Sequence, residues 1–247
     1  MSDPVGDLPA FDASRAAVVS AIAAAASRAG RDPSTVEIVA VTKTVAPDRI
    51  LAAIAAGFTT FGENRVQERA AKVGAVDAVA TYPAGGAPRW HLIGPLQSNK
   101  ARRAVELFDV IETIDSLDLA RRIDRTAAEL RPSRPMPVLL QVNVDDDAAK
   151  SGFDVAGLER DLPAILDLPA LRVEGLMTVG RLVGTPEAAR PTFVALRSLS
   201  ERLRAHHERL GPALSMGMSE DYPVAVEEGA TLVRIGHAIF GARPSLG

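Results

Sequence analysis

The sequence predicts an α/β protein, a single (β/α)8 TIM barrel preceded by an extra N-terminal helix. Along the 247 residues, eight short apolar runs alternate with segments of helical periodicity. Several of these runs are apolar on successive residues, as is typical of strands covered on both faces. Eight strand–helix units in a chain of this length favour a closed barrel over an open sheet.

The predicted elements follow a regular order. The first helix is expected over about Ser14 to Ala29. The eight predicted strands are Val36–Lys43, Thr59–Asn64, Arg89–Gly94, Phe108–Asp115, Met136–Val144, Leu171–Val179, Ala213–Met218 and Thr231–Gly241. Ser116 and Asp154 are placed to cap the N-termini of two intervening helices, and Gly57 stands where the helix between the first two strands should end.

The chain is predicted to form one domain over residues 1–247. No segment rich in Pro and Gly is long enough to separate two domains, so residues 1–35 are assigned to an N-terminal extension and helix, and 36–243 to the barrel. The loop Tyr82–Pro88 joins a helix to a strand. Such a loop lies at the end of a barrel opposite the usual site.

Composition narrows the classes of function. A formal net charge of −3 gives no electrostatic preference for nucleic acid or an anionic membrane. The absence of cysteine removes disulfides and thiol chemistry, and no spaced ligand pattern predicts a metal site. The N-terminus does not resemble a signal peptide, and the apolar stretch Ala16–Ala26 is too short to span a bilayer. We expect a cytoplasmic monomer, since no heptad or exposed apolar stripe indicates a partner chain.

Lys43 is the most informative candidate site residue. Active sites of barrels form at the C-terminal ends of the strands, and Lys43 ends a strand that should be almost wholly buried. Burial and nearby cations lower the pKa of a lysine, which favours the neutral amine that a Schiff base requires. A solvated surface lysine is the alternative for this residue taken alone.

The last two predicted strands carry further candidates. Ser219, Gly236 and His237 can form a phosphate site from a hydroxyl and backbone N–H groups, or can be no more than a helix cap and a packed strand end. Arg234 lies in an otherwise apolar strand and therefore needs a partner. That partner is either a ligand nitrogen or anion, or a barrel carboxylate such as Glu63.

Seven stretches of the chain carry a resemblance to a known family. They are VAVTK, FGENRVQE, WHLIGPLQSNK, KSGF, GLMTV, SMGMSEDYPVAVEEG and RIGHAIFGAR, which span Val39 to Arg243. In this order they resemble the pyridoxal phosphate homeostasis protein family (YggS/PROSC-like), whose barrel is similar to the N-terminal domain of alanine racemase. The resemblance implies pyridoxal 5′-phosphate as the cofactor.

The resemblance also implies roles for individual residues. Lys43 corresponds to the lysine that forms the aldimine, and Arg234 to the partner of the pyridine nitrogen. Ser219, Gly236 and His237 correspond to the phosphate site, and Asn64, His91 and Met177 to the lining of the ring pocket. Two residues depart from the family pattern: His237 stands where Thr or Ser is expected, which leaves its backbone N–H available, and Val45 stands where a lysine is frequent.

The predicted function is that of a cofactor carrier with little or no catalysis. Arg234 cannot accept a proton, which weakens the pyridine ring as an electron sink. The chain has two tyrosines, Tyr82 and Tyr222, neither clearly placed as a second acid/base group, and the additional domain of racemases is expected to be absent. We expect the protein to hold pyridoxal phosphate for intracellular vitamin B6 homeostasis and to deliver it to apo-enzymes.

Two alternatives remain open at this point. The first is a fold-type III enzyme such as an amino-acid racemase, with Lys43 as base and Tyr222, His91 or water opposite it. The second is a barrel that binds another phosphorylated metabolite without covalent chemistry.

Overall fold

The structure is a computed structural model that describes residues 8–78, 86–180 and 184–241. Its strands are all parallel and close into a barrel, because the first strand pairs with both the second and the last. The strands are β1 Glu37–Val41, β2 Thr60–Glu63, β3 Arg89–Leu92, β4 Val110–Ile114, β5 Met136–Gln141, β6 Leu171–Met177, β7 Ala213–Met218 and β8 Leu232–Ile235. The predicted fold class is confirmed, and each predicted apolar run contains one of these strands.

In the described part of the chain, the first helix precedes β1, the last follows β8, and the helices between them connect successive strands. The helices are α1 Leu8–Arg28, α2 Pro47–Ala55, α3 Val66–Val76, α4 Ala101–Leu107, α5 Leu117–Leu130, α6 Val155–Leu166, α7 Arg190–Arg204, α8 Tyr222–Glu227 and α9 His237–Phe240. The two predicted caps are confirmed: Ser116 accepts a hydrogen bond from Leu119 N at 3.3 Å, and Asp154 accepts one from Gly157 N at 2.6 Å.

Two layers of apolar side chains hold the barrel together. The larger core lies between the strands and the surrounding helices and includes Phe61, Phe193 and Leu140. A smaller cluster fills the barrel itself and consists of buried Val39, Val110, Leu139, Met177 and Leu232. The barrel is therefore packed with side chains below its rim, as small parallel barrels are.

Helix α1 begins earlier than predicted, at Leu8 instead of Ser14. Pro9 occupies the first turn of the observed helix, where a missing N–H costs nothing. The helix is 21 residues long, and by length and composition it could cross a membrane, a test that core helices of soluble proteins also pass. Its Phe11, Val18 and Ile22 are buried in the large core, so we interpret α1 as part of the barrel fold.

The parallel arrangement brings the C-terminal ends of all eight strands to one rim. Residues that follow β1, β2, β7 and β8 meet on one side of this rim, because β8 pairs with β1 in register from Glu37↔Leu232 to Ala40↔Ile235. Residues 82–85 of the predicted loop Tyr82–Pro88 lie outside the described residues, as does the predicted end of the barrel at residue 243.

Candidate functional site

A cavity of about 810 Å³ opens at the C-terminal rim of the barrel. Predicted site residues from four different segments line it together, namely Lys43, Asn64, Ser219, Arg234, Gly236 and His237. Its further lining includes Arg49 of α2 and Phe240 of α9. The volume lies within the range typical of sites for small ligands and cofactors.

Lys43 lies in a tight turn just beyond β1. The preceding residue, Thr42, is buried, and its carbonyl oxygen accepts hydrogen bonds from Val45 N at 2.9 Å and from Lys72 Nζ at 2.7 Å. The following residue, Thr44, has a φ of 63°, a conformation that non-glycine residues rarely adopt. The surrounding contacts therefore fix the backbone on both sides of Lys43 and direct its half-buried side chain to the cavity.

A buried ion pair supports this turn from behind. Oε1 of Glu63 accepts hydrogen bonds from Thr42 Oγ1 at 2.7 Å and from Lys72 Nζ at 2.6 Å. Burial raises the pKa of Glu63 to about 6, although Lys72 and the Thr42 hydroxyl oppose this shift. Glu63 and Lys72 thus hold the backbone of Thr42 without lining the cavity themselves.

Backbone N–H groups converge on the hydroxyl of Ser219, after β7. Ser219 Oγ accepts from Gly236 N at 3.3 Å and from Ala238 N at 3.4 Å. Gly236 and His237 line the cavity beside it, and the His237 side chain is exposed. These long bonds leave the hydroxyl and the two N–H groups close together, and all three can donate to the oxygens of a phosphate.

Arg234 forms the cationic floor of the cavity. Its side chain is buried, and its Nη1 and Nη2 donate to Ser215 Oγ at 2.6 Å and to the Thr178 carbonyl at 2.7 Å. Burial lowers the pKa of Arg234, and the carboxylates of Glu112 and Asp221 act against this shift. Glu63 pairs with Lys72, and the carboxylates that act on Arg234 are those of Glu112 and Asp221 instead.

Two predicted lining residues lie below the cavity wall. His91 is inside β3, one residue before its end, and its Nδ1 lies 2.6 Å from Oε1 of Glu112. Met177 packs in the apolar cluster inside the barrel. Because the packed interior takes up both side chains, neither lines the cavity, and we leave both out of the proposed ligand contacts.

Three residues around the site were not predicted from the sequence. Glu112 lies in β4, Ser215 in β7 and Lys72 in α3, and all three are buried polar or charged residues. The available signal for Glu112 and Ser215 was a polar residue inside an otherwise apolar strand. Such residues lie inside the strands, whereas the predicted site residues were sought at the strand ends.

The polar groups that line the cavity fit a phosphorylated aldehyde. An amine, a guanidinium and a hydroxyl with neighbouring N–H groups lie in one cavity, on Lys43, Arg234 and Ser219. The amine can condense with an aldehyde, the guanidinium can donate to a ring nitrogen, and the hydroxyl and N–H groups can donate to a phosphate. The three groups come from the ends of β1, β8 and β7, which are neighbours in the closed barrel.

The model of the family "Alanine racemase, N-terminal domain" matches residues 14–244, so fold and site define a barrel of this class. The chain is 43% identical over 229 residues to the pyridoxal phosphate homeostasis protein of Escherichia coli (strain K12), covering 90% of this chain and 92% of that one. The protein of the same name from Pseudomonas aeruginosa is 41% identical over 230 residues, 92% of this chain and 94% of its own. The chain belongs to the pyridoxal phosphate homeostasis protein family.

Solved structures agree with this assignment. PipY, the COG0325 family member of Synechococcus elongatus PCC7942, with PLP bound, is 40% identical with a TM-score of 0.78, over 89% of this chain and all (100%) of that one. An alanine racemase of Clostridium difficile 630 is 15% identical with a TM-score of 0.64, over 86% of this chain and 53% of its own. At that identity the racemase shows a common fold and no more.

Proposed function

We propose that this protein binds pyridoxal 5′-phosphate in the rim cavity and holds it as an imine with Lys43. The observation that carries the proposal is the convergence of Lys43, Arg234 and Ser219 on one cavity. When bound, the cofactor supplies a reactive aldehyde and an electron-accepting ring. The membership of a family whose relatives are named for pyridoxal phosphate homeostasis supports the same ligand.

Each residue has a distinct part in the proposal. Lys43 provides the amine, and the fixed turn around it presents that amine to the cavity. Arg234 donates to the ring nitrogen, while Ser219 with the N–H groups of Gly236 and Ala238 binds the phosphate. Asn64 and His237 lie on the same wall, His237 contributing its backbone N–H.

The physiological role that we propose is storage and delivery of the cofactor to apo-enzymes in the cytoplasm, with little or no catalysis. Racemisation needs an acid/base group on each face of the bound substrate. Among the described residues, neither Tyr222 nor His91 lines the cavity: Tyr222 is buried at the start of α8 and His91 bonds to Glu112. Because both residues that were candidates for the second acid/base group lie outside the cavity, we favour a carrier over a racemase, and we take the carrier to act as a monomer.

Transfer to an apo-enzyme tests the role. Protein loaded with one equivalent of pyridoxal phosphate is mixed with an apo-aminotransferase, with and without a phosphatase that destroys free cofactor. The proposal expects stoichiometric activation of the apo-enzyme, and activation that survives the phosphatase indicates direct transfer. No activation in either arm contradicts a delivery role.

The same loaded protein separates the carrier from the racemase. It is incubated with a panel of L-amino acids in deuterium oxide, and the α-carbon is followed by NMR. A carrier incorporates no deuterium beyond the rate of free pyridoxal phosphate, whereas a racemase exchanges the α-proton over many turnovers. Binding that survives the Lys43→Ala substitution unchanged would favour the third class, a barrel for a phosphorylated metabolite held without a covalent bond.

A further inference from the structure

A chain of buried polar side chains runs through the barrel beneath the cavity. Arg234 Nη1 donates to Ser215 Oγ at 2.6 Å, and Ser215 Oγ donates to Oε2 of Glu112 at 2.5 Å. The other carboxylate oxygen, Oε1 of Glu112, lies 2.6 Å from His91 Nδ1. All four side chains are at most 4% exposed, so no solvent shields the charges in this chain.

The hydrogen positions in this chain follow from the chemistry of its members. A guanidinium only donates, and a carboxylate only accepts. The Ser215 hydroxyl must therefore accept from Arg234 and pass its own hydrogen to Glu112, while His91 Nδ1 carries a hydrogen toward the same carboxylate. Each bond has one permitted direction, so the chain can hold Arg234 in a single orientation.

Glu112 carries the negative charge in this chain of hydrogen bonds. Burial acts to raise the pKa of Glu112, but the His91 hydrogen bond, the charge of Arg234 and the Ser215 hydroxyl outweigh it, and the net pKa lies below the usual range. Glu112 is thus an anion that compensates the buried Arg234 cation through one intervening hydroxyl. Removing one member of such a buried group leaves the remaining charge without compensation.

The fork of Arg234 has donors left for a ligand. A guanidinium has five N–H donors in a rigid plane, and the bonds to Ser215 and the Thr178 carbonyl tie two of its nitrogens to the barrel interior. The side chain also lines the cavity. Fixing the plane of the guanidinium therefore also fixes the direction of its remaining donors.

We propose that Glu112, acting through Ser215, is the positioning residue that orients Arg234 toward the ring nitrogen of the bound cofactor. The inference rests on the proposed function and deepens it. Glu112 touches no ligand in this account. Its effect reaches the cofactor through Arg234 and is confined to the ring nitrogen.

The test compares two ligands on matched variants. Dissociation constants are measured for pyridoxal phosphate and for its deaza analogue, in which carbon replaces the ring nitrogen, on the wild-type protein and on Glu112→Gln and Ser215→Ala. The ratio of the two constants isolates the ring-nitrogen contact, because general effects on folding or on the field of the cavity change both ligands alike. Thr113→Val is the control, since buried Thr113 lies beside Glu112 on β4 but donates to the Gly94 carbonyl at 2.8 Å.

The wild-type protein should prefer pyridoxal phosphate over the deaza analogue by about tenfold or more, the size of one charge-assisted hydrogen bond. The preference should fall toward one in Glu112→Gln and in Ser215→Ala and stay unchanged in Thr113→Val. A wild-type preference that both variants retain overturns the positioning role, as does a wild-type preference of one. If borohydride reduction fails to attach pyridoxal phosphate to Lys43 in the wild type, the proposed function itself fails, and the two failures are thereby distinguished.

Discussion

Lys72 Nζ lies 2.6 Å from Oε1 of Glu63, and this buried ion pair is what holds the turn that presents Lys43. The same ammonium donates to the Thr42 carbonyl, one residue before Lys43. Lys72 comes from α3 and Glu63 from β2, so the pair ties the outer helix layer to the barrel at the rim. The position of the Lys43 amine thus depends on two charged residues that do not line the cavity.

Replacing Lys72 by Met should destabilise the protein by about 3 kcal/mol at pH 8, because the Glu63 carboxylate is then buried without its cation. Urea unfolding of the wild-type and variant proteins measures the change. The double variant Lys72→Met/Glu63→Gln should recover part of the loss, since the uncompensated charge is gone. A single-variant loss below about 0.5 kcal/mol, the range of ordinary surface substitutions, would show that Lys72 does not compensate the buried charge of Glu63.

The stability of the protein should depend on the titration of Glu63. Burial raises the pKa of Glu63 from 4.5 to about 6 in the folded protein. Because the folded state binds this proton more tightly, the contribution is fully present below pH 4.5 and is lost as the pH rises through about 6. Across that window the wild-type protein should lose about 2 kcal/mol relative to Glu63→Gln, which cannot titrate. If the wild-type protein instead gains stability relative to Glu63→Gln as the pH rises, the pKa of Glu63 is lowered in the folded protein.

Gly175 should tolerate no side chain. A Cβ there would overlap the backbone carbonyl of Ala213 on the neighbouring strand β7, and Gly175 has a φ of +155°. Gly175→Ala should therefore cost about 3 kcal/mol or more in the free energy of unfolding. Gly74→Ala is the matched control, because Gly74 lies exposed in α3 with open space around it. This substitution should stabilise the protein by about 0.5–1 kcal/mol. Equal behaviour of the two variants would argue against close strand packing at Gly175.

The barrel could be predicted from the sequence because its strands are covered on both faces. Such strands are continuous apolar runs, and eight of them in order leave few alternatives. Lys43 stood out for the same reason, as a cation at the end of a buried run. The start of α1 was placed six residues too late, at Ser14, although the helix extends back to Leu8.

The hydrogen bonds that hold the site residues in place could not be predicted, because the residues that form them are distant in the sequence. Ser215 and Glu112 are 103 positions apart, and which of the buried polar residues meet depends on strand order and register. His91 was assigned to the cavity for lack of this information. Its bond to Glu112 places it instead in the chain of hydrogen bonds beneath Arg234.

The most direct test of the central claim is to locate the covalent bond. The chain has four lysines, Lys43, Lys72, Lys100 and Lys150, so reduction with borohydride after addition of pyridoxal phosphate gives a short list of peptides to map. The visible absorption spectrum is recorded beforehand for the wild type, for Lys43→Ala and for the control Lys100→Ala, since Lys100 does not line the cavity. We predict an imine band in the wild type and in Lys100→Ala, its loss in Lys43→Ala, and a reduced adduct on Lys43. An unchanged band in Lys43→Ala, or an adduct spread over the other lysines, would contradict the account.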